Sequence, residues 1–365
     1  MSDLRHSPAG EAAKRGCLAR VGPAVAPRFL GVPAVRRSTL RSRLLPTAMI
    51  RVAPAAPQEY EAALELLFDR LSPAERHTSV KDVLRSLGSG RITRHGLLAA
   101  WNDQILTGAI LYAIQRDRTA FVWAPRTRGG DADRPIADAL VGALRAGVDG
   151  AGAWIAQALL DPAAHDDADA LDRNGFTHLT DLRFLVHILG NLPPQLSAGA
   201  EVDDEEFEII TYEPGVHDER LARLLERTYV GTQDCPEVGG RRSGTAAVES
   251  HRMSGDFDPA RWKIYRVSGR DAGALLLNAH PEHSAWEVVY MGVGHDCRGL
   301  GLGRRMVRDA LAAARDAEQS ALLLAVDSRN DYASKVYDEL GFVETDRKGV
   351  HIYFPSAGVP SDAPQ

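Results

Sequence analysis

The 365-residue sequence predicts an α/β protein in which one design is used twice. Each of two tandem domains is expected to be a mostly antiparallel, mixed central sheet flanked by helices, with the first copy degenerate. Three observations predict this. Strand-like runs and runs with a 3.6-residue apolar period follow one another in the same order in both halves. Short words recur in that order: Ala170-Leu171-Asp172-Arg173-Asn174-Gly175-Phe176 matches Val336-Tyr337-Asp338-Glu339-Leu340-Gly341-Phe342, and Asp138-Ala139-Leu140 matches Asp309-Ala310-Leu311. Between the halves, residues 191–205 mix Pro, Gly, Ala and acids, as a linker does.

In the first copy, residues 50–53 read as a strand. Residues 59–71 read as an amphipathic helix, because Leu64, Leu67, Phe68 and Leu71 recur at helical spacing. Strands are expected over residues 96–101, 107–114 and 119–123, a helix over 136–146 and a strand over 154–160. The second copy restarts with a strand at 207–212 and a helix at 218–228. Residues 262–267, 273–279 and 286–293 read as three antiparallel strands. Residues 303–317 form a helix with Met306, Val307, Ala310, Leu311 and Ala314 on one face. The wholly apolar run 321–326 suits a strand buried on both sides. A short helix over 331–340 and a strand over 349–354 close the copy. The expected domains are therefore 49–190 and 206–356.

Composition narrows the function classes. Charged residues make up 25% and the hydrophobic set 44%, as in a globular protein. The longest aliphatic run, 321–326, is far short of a membrane span. A net charge of −6 argues against nucleic acid as a partner. Cys17, Cys235 and Cys297 form neither a disulfide framework nor a CxxC metal motif, so a cytoplasmic setting and no metal are expected. Only five of 43 basic residues are lysine, which reads as GC-rich bacterial codon usage. Residues 1–48 carry nine basic side chains against Asp3 and Glu11 and show no apolar period. They read as a disordered tail or as translation assigned upstream of a true start at Met49, the alternative being an organelle transit peptide, rich in Arg and poor in acids. Residues 357–365 read as a second disordered tail. A monomer or homodimer is expected.

The strongest chemical signal is Arg298-Gly299-Leu300-Gly301-Leu302-Gly303-Arg304-Arg305, which follows an apolar strand and opens a helix. Glycines let a backbone approach an anion, and the first amides of a helix point at it. The three arginines add cationic surroundings, so the segment suits a di- or polyphosphate. A Walker loop would need a lysine, and a dinucleotide fingerprint would need its third glycine one place later. What remains, Arg-x-x-Gly-x-Gly at a strand-to-helix turn, resembles the pyrophosphate loop of the GNAT superfamily of acyl-CoA N-acetyltransferases. The stretch from Glu287 through Asn330, Ala333 and Tyr337 to Leu340-Gly341-Phe342 extends that resemblance. It covers residues 206–355 by motif and 50–190 in outline. The tandem layout resembles two-domain acetyltransferases of the mycothiol synthase type.

The resemblance implies roles. Amides of Gly299, Leu300, Gly301, Leu302, Gly303 and Arg304, with Arg298 beside them, would hold the pyrophosphate of acetyl-CoA. Backbone of Met291, Gly292 and Val293 would pair with the pantetheine arm, in a gap where that strand and 321–326 splay. Asn330 would hydrogen-bond near the arm and cap the next helix. Tyr337 would protonate the departing thiolate, or it packs with Ala333 and Leu340. Glu287 would take the amine's proton, or it is an edge-exposed carboxylate. Strand alternation sets Glu287, Val289 and Met291 on one face and Trp286, Val288 and Tyr290 on the other. His280, His283 and His295 are nearby alternatives, read as surface turn residues.

The acceptor pocket is expected in the connection at residues 231–242. Asp234 and Glu237 would meet a cationic amine, and Arg241 or Arg242 a carboxylate; Asp234 otherwise forms a turn. Direct transfer needs no nucleophile, so Cys235 is not expected to act as one. In the first copy, Asp131 and Asp133 would repel a pyrophosphate, Leu171 replaces Tyr337, and Ala164 stands near the Asn330 position. The expected function is acetyl transfer from acetyl-CoA to a small-molecule primary amine. The alternatives are a non-catalytic acyl-CoA sensor or, more narrowly, a mycothiol synthase-like enzyme.

Overall fold

The computed structural model describes residues 50–191 and 207–355, apart from 91, 94 and 130–132. The basic N-terminal stretch, the linker from residue 192 on and the C-terminal tail lie outside the described residues. Two compact units divide the chain at 178/179 and 350/351. The repeat in sequence breaks near residue 190, whereas packing breaks earlier. Among the described residues no helix is long and apolar enough to cross a membrane.

The N-terminal unit, residues 50–178 with 351–355, runs β1 (Ile50–Pro54), α1 (Tyr60–Leu67), α2 (Pro73–Gly88), β2 (Leu97–Asn102), β3 (Ile105–Ile114), β4 (Thr119–Thr127), α3 (Arg134–Gly150), β5 (Ile155–Leu160) and α4 (His165–Asp172). β1 to β4 pair antiparallel in chain order, and β4 pairs parallel with β5. One face packs on α3 through Leu140, Val141, Leu144 and Val148, the other on α1 and α2 through Leu64, Leu67, Val80 and Val83. The helix expected over 59–71 ends at Leu67. α2 starts at a capping box, where Ser72 and Glu75 bond each other's backbone amides. Tyr353 closes this core and donates to Asp149 Oδ2 at 3.1 Å.

The C-terminal unit, residues 179–350, holds β6 (Thr177–Ile188, from residue 179), β7 (Phe207–Thr211), α5 (Asp218–Tyr229), α6 (Gly244–Arg252), β8 (Trp262–Val267), β9 (Arg270–His280), β10 (Ala285–Val293), α7 (Leu302–Asp316), β11 (Ala321–Asp327), α8 (Asp331–Glu339) and β12 (Val343–Tyr353, to residue 350). Its strand order is β7-β8-β9-β10-β11-β6-β12. β10 and β11 run parallel; β6 pairs antiparallel with β11 from Ala321↔Ile188 to Asp327↔Leu182. The strand beside β11 thus comes from the end of the first repeat. On α7, Met306, Val307, Ala310 and Ala314 are fully buried against the sheet. Truncating Met306 to alanine there would cost about 2–5 kcal/mol.

Candidate active site

β10 and β11 pair over only three positions, Ala285↔Ala321, Trp286↔Leu322 and Glu287↔Leu323. Beyond them the strands diverge, and a cavity of about 640 Å³ opens. Val288 to Val293 line one wall and Leu324, Ala325 and Val326 the other. Residues 231–235, the loop glycines, Asn330 and Tyr337 also line it.

A β-bulge shapes the β10 wall. Val288 pairs with Leu277 and Tyr290 with Leu276, so Val289 is an extra residue. The expected alternation is corrected here: Tyr290 joins Val289 against the α5–α6 face, and Met291 joins Val288 against the α7 face. Gly292 is required by close approach, because a Cβ would stand 2.6 Å from Tyr290 Oη and 2.9 Å from Thr228 Oγ1. Met291, Gly292 and Val293 all line the cavity.

The loop forms as the glycines demand. Gly299 and Gly301 have φ of +81° and +78°, and Gly301 is the N-cap of α7. Nothing would meet a Cβ at either, so their glycines serve backbone conformation rather than space. The arginines differ from expectation. Arg298 donates to Val293 O (3.2 Å), Gly231 O (2.6 Å) and Thr228 O (2.9 Å), stapling residues 228–231 to the loop. Arg304 pairs with Glu339, and Arg305 stacks over Phe207 at 4.0 Å. Leu300 is exposed, and neither Leu300 nor Arg304 is among the lining residues. Backbone amides at the start of α7 are therefore the donors an anion would meet.

Asn330 accepts the Ala333 amide at 3.1 Å and caps α8. Tyr337 lies on the buried face of α8, its ring 5.6 Å from Phe342, and lines the cavity. Tyr337 thus packs in the core, as one alternative had it, and also borders the gap. Glu287 is 0% exposed, so the edge-exposed alternative is excluded. It is hydrogen-bonded to His280 Nε2 at 2.9 Å and is not among the lining residues. His280, read as a surface turn residue, is buried.

In the 231–242 connection, Asp327 at the end of β11 is the organiser, and the sequence reading missed it. Its buried carboxylate accepts Thr180 Oγ1 (2.5 Å), the Cys235 amide (2.9 Å) and the Arg329 amide and side chain. Burial works to raise its pKa, and these hydrogen bonds hold it below the usual carboxylate range. Asp234 accepts the Asp327 amide at 2.9 Å and lines the cavity. Glu237 is a corrected residue: it forms a bidentate pair with Arg329 (2.7 and 3.0 Å) outside the lining. Arg241 donates to Glu237 O at 3.0 Å, and its neighbour Arg242 lines the cavity instead. Burial, then Asp234 and Asp327, push the Cys235 thiol up, so it stays protonated. Further lining residues went unnoticed, Thr228, Tyr229 and His251 among them. Their signal was weak, a Thr-Tyr pair ending one helix and a lone histidine on another.

The N-terminal unit repeats the divergence. β4 and β5 pair from Thr119↔Ile155 to Phe121↔Gln157 and then separate. Arg126 on β4 and Asp167 on α4 form a buried ion pair there, with Arg126 Nη2 donating to Asp167 Oδ2 at 2.8 Å. Asp133 Oδ2 accepts the Gly129 amide at 2.7 Å. Leu171 is fully buried, and Ala164 supplies no side-chain cap to α4. Asp131 lies outside the described residues.

Known proteins resemble this arrangement. Residues 232–342 match the model of the acetyltransferase (GNAT) family. A mycothiol acetyltransferase of Thermomonospora curvata is 32% identical over 148 residues, 40% of this chain and 47% of that protein. The chain thus spans about half the length of that relative. A mycothiol acetyltransferase of Kocuria rhizophila is 25% identical over 310 residues, 80% of this chain and 96% of that protein. The crystal structure of a GCN5-related N-acetyltransferase from Sphaerobacter thermophilus superposes with a TM-score of 0.56 at 15% identity, covering 85% of this chain and 97% of the other. That likeness concerns the fold. With its diverging strands and glycine loop, the chain carries an acetyltransferase domain of the GNAT family.

Proposed function

We propose that the C-terminal unit transfers an acetyl group from acetyl-CoA to a primary amine of a small molecule, by direct attack of the amine on the thioester. The carrying observation is the gap between β10 and β11, lined on both walls and bordered by the glycine loop. A pyrophosphate would rest on the α7 amides, and the arm would run along Met291, Gly292 and Val293 towards Tyr337. Tyr337 is then the acid that protonates the thiolate, since a phenol is a neutral donor at pH 7. Asp234 is the carboxylate among the lining residues, so the reading gives it the amine's proton. Glu287, the base that the resemblance implied, is buried against His280 and does not line the cavity, so the reading does not give it that step. The free thiols of Cys235 and Cys297 fit a cytoplasmic setting.

Calorimetric titration with acetyl-CoA, followed by thiol release across a panel of amines, tests the reading. Binding with amine-dependent release supports it. Binding without release for any amine would make the chain an acyl-CoA sensor. The relatives named mycothiol acetyltransferase make the acetyl-accepting precursor of mycothiol the first molecule for the panel.

A further inference from the structure

We propose that Tyr290 is a positioning residue that receives an N–H of the attacking amine, and that this makes the site select primary over secondary amines. The proposal rests on the amine-acetylation reading above. Its basis is a hydrogen-bond chain whose direction the backbone sets. Thr228 has one hydroxyl proton, and it goes to Leu225 O on α5 at 2.6 Å. Tyr290 Oη lies 2.5 Å from Thr228 Oγ1. With the threonine's proton committed, the phenol must be the donor in that contact. Tyr290 Oη is left with lone pairs alone for the cavity that it, Thr228 and Gly292 line together. Burial raises the phenol's pKa, so it stays neutral and keeps the proton that bonds Thr228.

The placement suits the reacting nitrogen. Tyr290 Oη stands beside the Gly292 backbone, on the wall along which the thioester arm is expected. The ring is held by His251, 5.0 Å away, and by the edge of Tyr229, 5.9 Å away. Arg242 also lines the cavity. Asp234 is the second acceptor facing the same space, and its charge acts on the Tyr290 phenol. An incoming ammonium sheds one proton through Asp234 to solvent. The resulting primary amine has two N–H groups, one for Tyr290 Oη and one for Asp234, which leaves its lone pair to the thioester carbon. That lone pair forms the C–N bond and the C–S pair leaves on sulfur. Tyr337 protonates the sulfur, and the second nitrogen proton passes to Asp234. A secondary amine has one N–H at the moment of attack and must leave one acceptor unmatched.

The test compares a panel amine that is turned over with its N-methyl derivative, using wild type, Tyr290→Phe and Thr228→Val. Wild type should favour the primary amine by about 10-fold or more in kcat/KM. Tyr290→Phe should lose about 10-fold on the primary amine and little on the N-methyl amine, so that the preference collapses. Acetyl-CoA affinity by calorimetry should stay within about twofold, because the phenol faces the acceptor. Thr228→Val frees the phenol to donate into the cavity and should also reduce the preference; it carries the test if the phenylalanine variant does not fold. If wild type is active and both variants keep its preference, the proposal falls while the acetyltransferase reading stands. If wild type releases no thiol with any amine, both fall.

Discussion

The two strand divergences are built alike and filled differently. In each unit a parallel pair runs for three positions and then separates. Five residues beyond the last pair, one unit has Gly292 and the other Arg126. Gly292 leaves a wall on which even a Cβ would crowd Tyr290. Arg126 extends a guanidinium to Asp167 on α4, and both are buried. One divergence opens into a cavity; at the other, Arg126 and Asp167 meet in a buried ion pair. The loops follow suit. In the C-terminal unit the arginines are tied to protein partners and the amides of α7 stand ready for an anion. In the N-terminal unit a carboxylate of the chain, Asp133, already holds a loop amide. A loop can lose its ligand by supplying its own anion, with little change in fold.

The comparison can be broken most sharply at Gly301. Gly301→Glu puts an L-residue at φ +78° and a carboxylate into the anion site. It should weaken acetyl-CoA binding by at least about 100-fold with the circular dichroism unchanged. Because a buried ion pair stands at the other divergence, no residual site should appear in the calorimetric titration; a second site of ordinary affinity would refute the contrast between the units. Tyr337→Phe, which keeps the ring and its packing on Phe342, should lower kcat by about 10²- to 10⁴-fold with little change in acetyl-CoA binding. Its N-terminal counterpart Leu171 has no proton to give, and wild-type kcat in the variant would remove Tyr337 from the mechanism.

Arg126→Ala tests the filling itself. It leaves the buried Asp167 carboxylate without its main partner and should destabilise the chain by about 3–5 kcal/mol in denaturant unfolding. The Arg126→Ala, Asp167→Ala double variant should recover part of that loss. Equal losses in the single and double variants would mean that the pair is not coupled. The smallest effect is expected at Arg304. Its partner is Glu339, in a half-exposed pair. Arg304→Ala should change acetyl-CoA affinity by less than about fivefold, and a larger loss would show that side-chain charge, not backbone amides, carries the phosphate.

Local patterns were legible in the sequence. The spacing of Met306, Val307, Ala310, Leu311 and Ala314 announces α7, because helical periodicity is written into adjacent turns. The loop Arg298 to Gly303 is legible because only glycine takes those backbone angles cheaply. Helix α2 was equally readable from its Ser72-Glu75 box and was overlooked. β6 was overlooked too, and its partner could not have been found by pattern. Leu182 to Ile188 pair with β11 from more than a hundred residues away. Strand alternation reports which side is buried, not which strand lies alongside.

The site divides along the same line. The cap at Asn330 was implied by the family resemblance, and Tyr337 on the inner face of α8 follows from local spacing. Glu287 did not, since its burial depends on His280 from the neighbouring strand. Nor did the choice of Arg242 over Arg241, or the central place of Asp327, whose partners come from β6, residues 235 and 329. The sequence by itself determined the repeated α/β design, the glycine loop, the buried face of α7 and the cap of α8, all consequences of neighbours within a few residues. Tertiary structure alone decided the extra residue at Val289, the contact between Thr228 and Tyr290, the carbonyls that Arg298 staples and the ion pair that Arg126 forms with Asp167. Those depend on which distant backbone carbonyl or carboxylate a side chain reaches, and no periodicity along the chain encodes that distance.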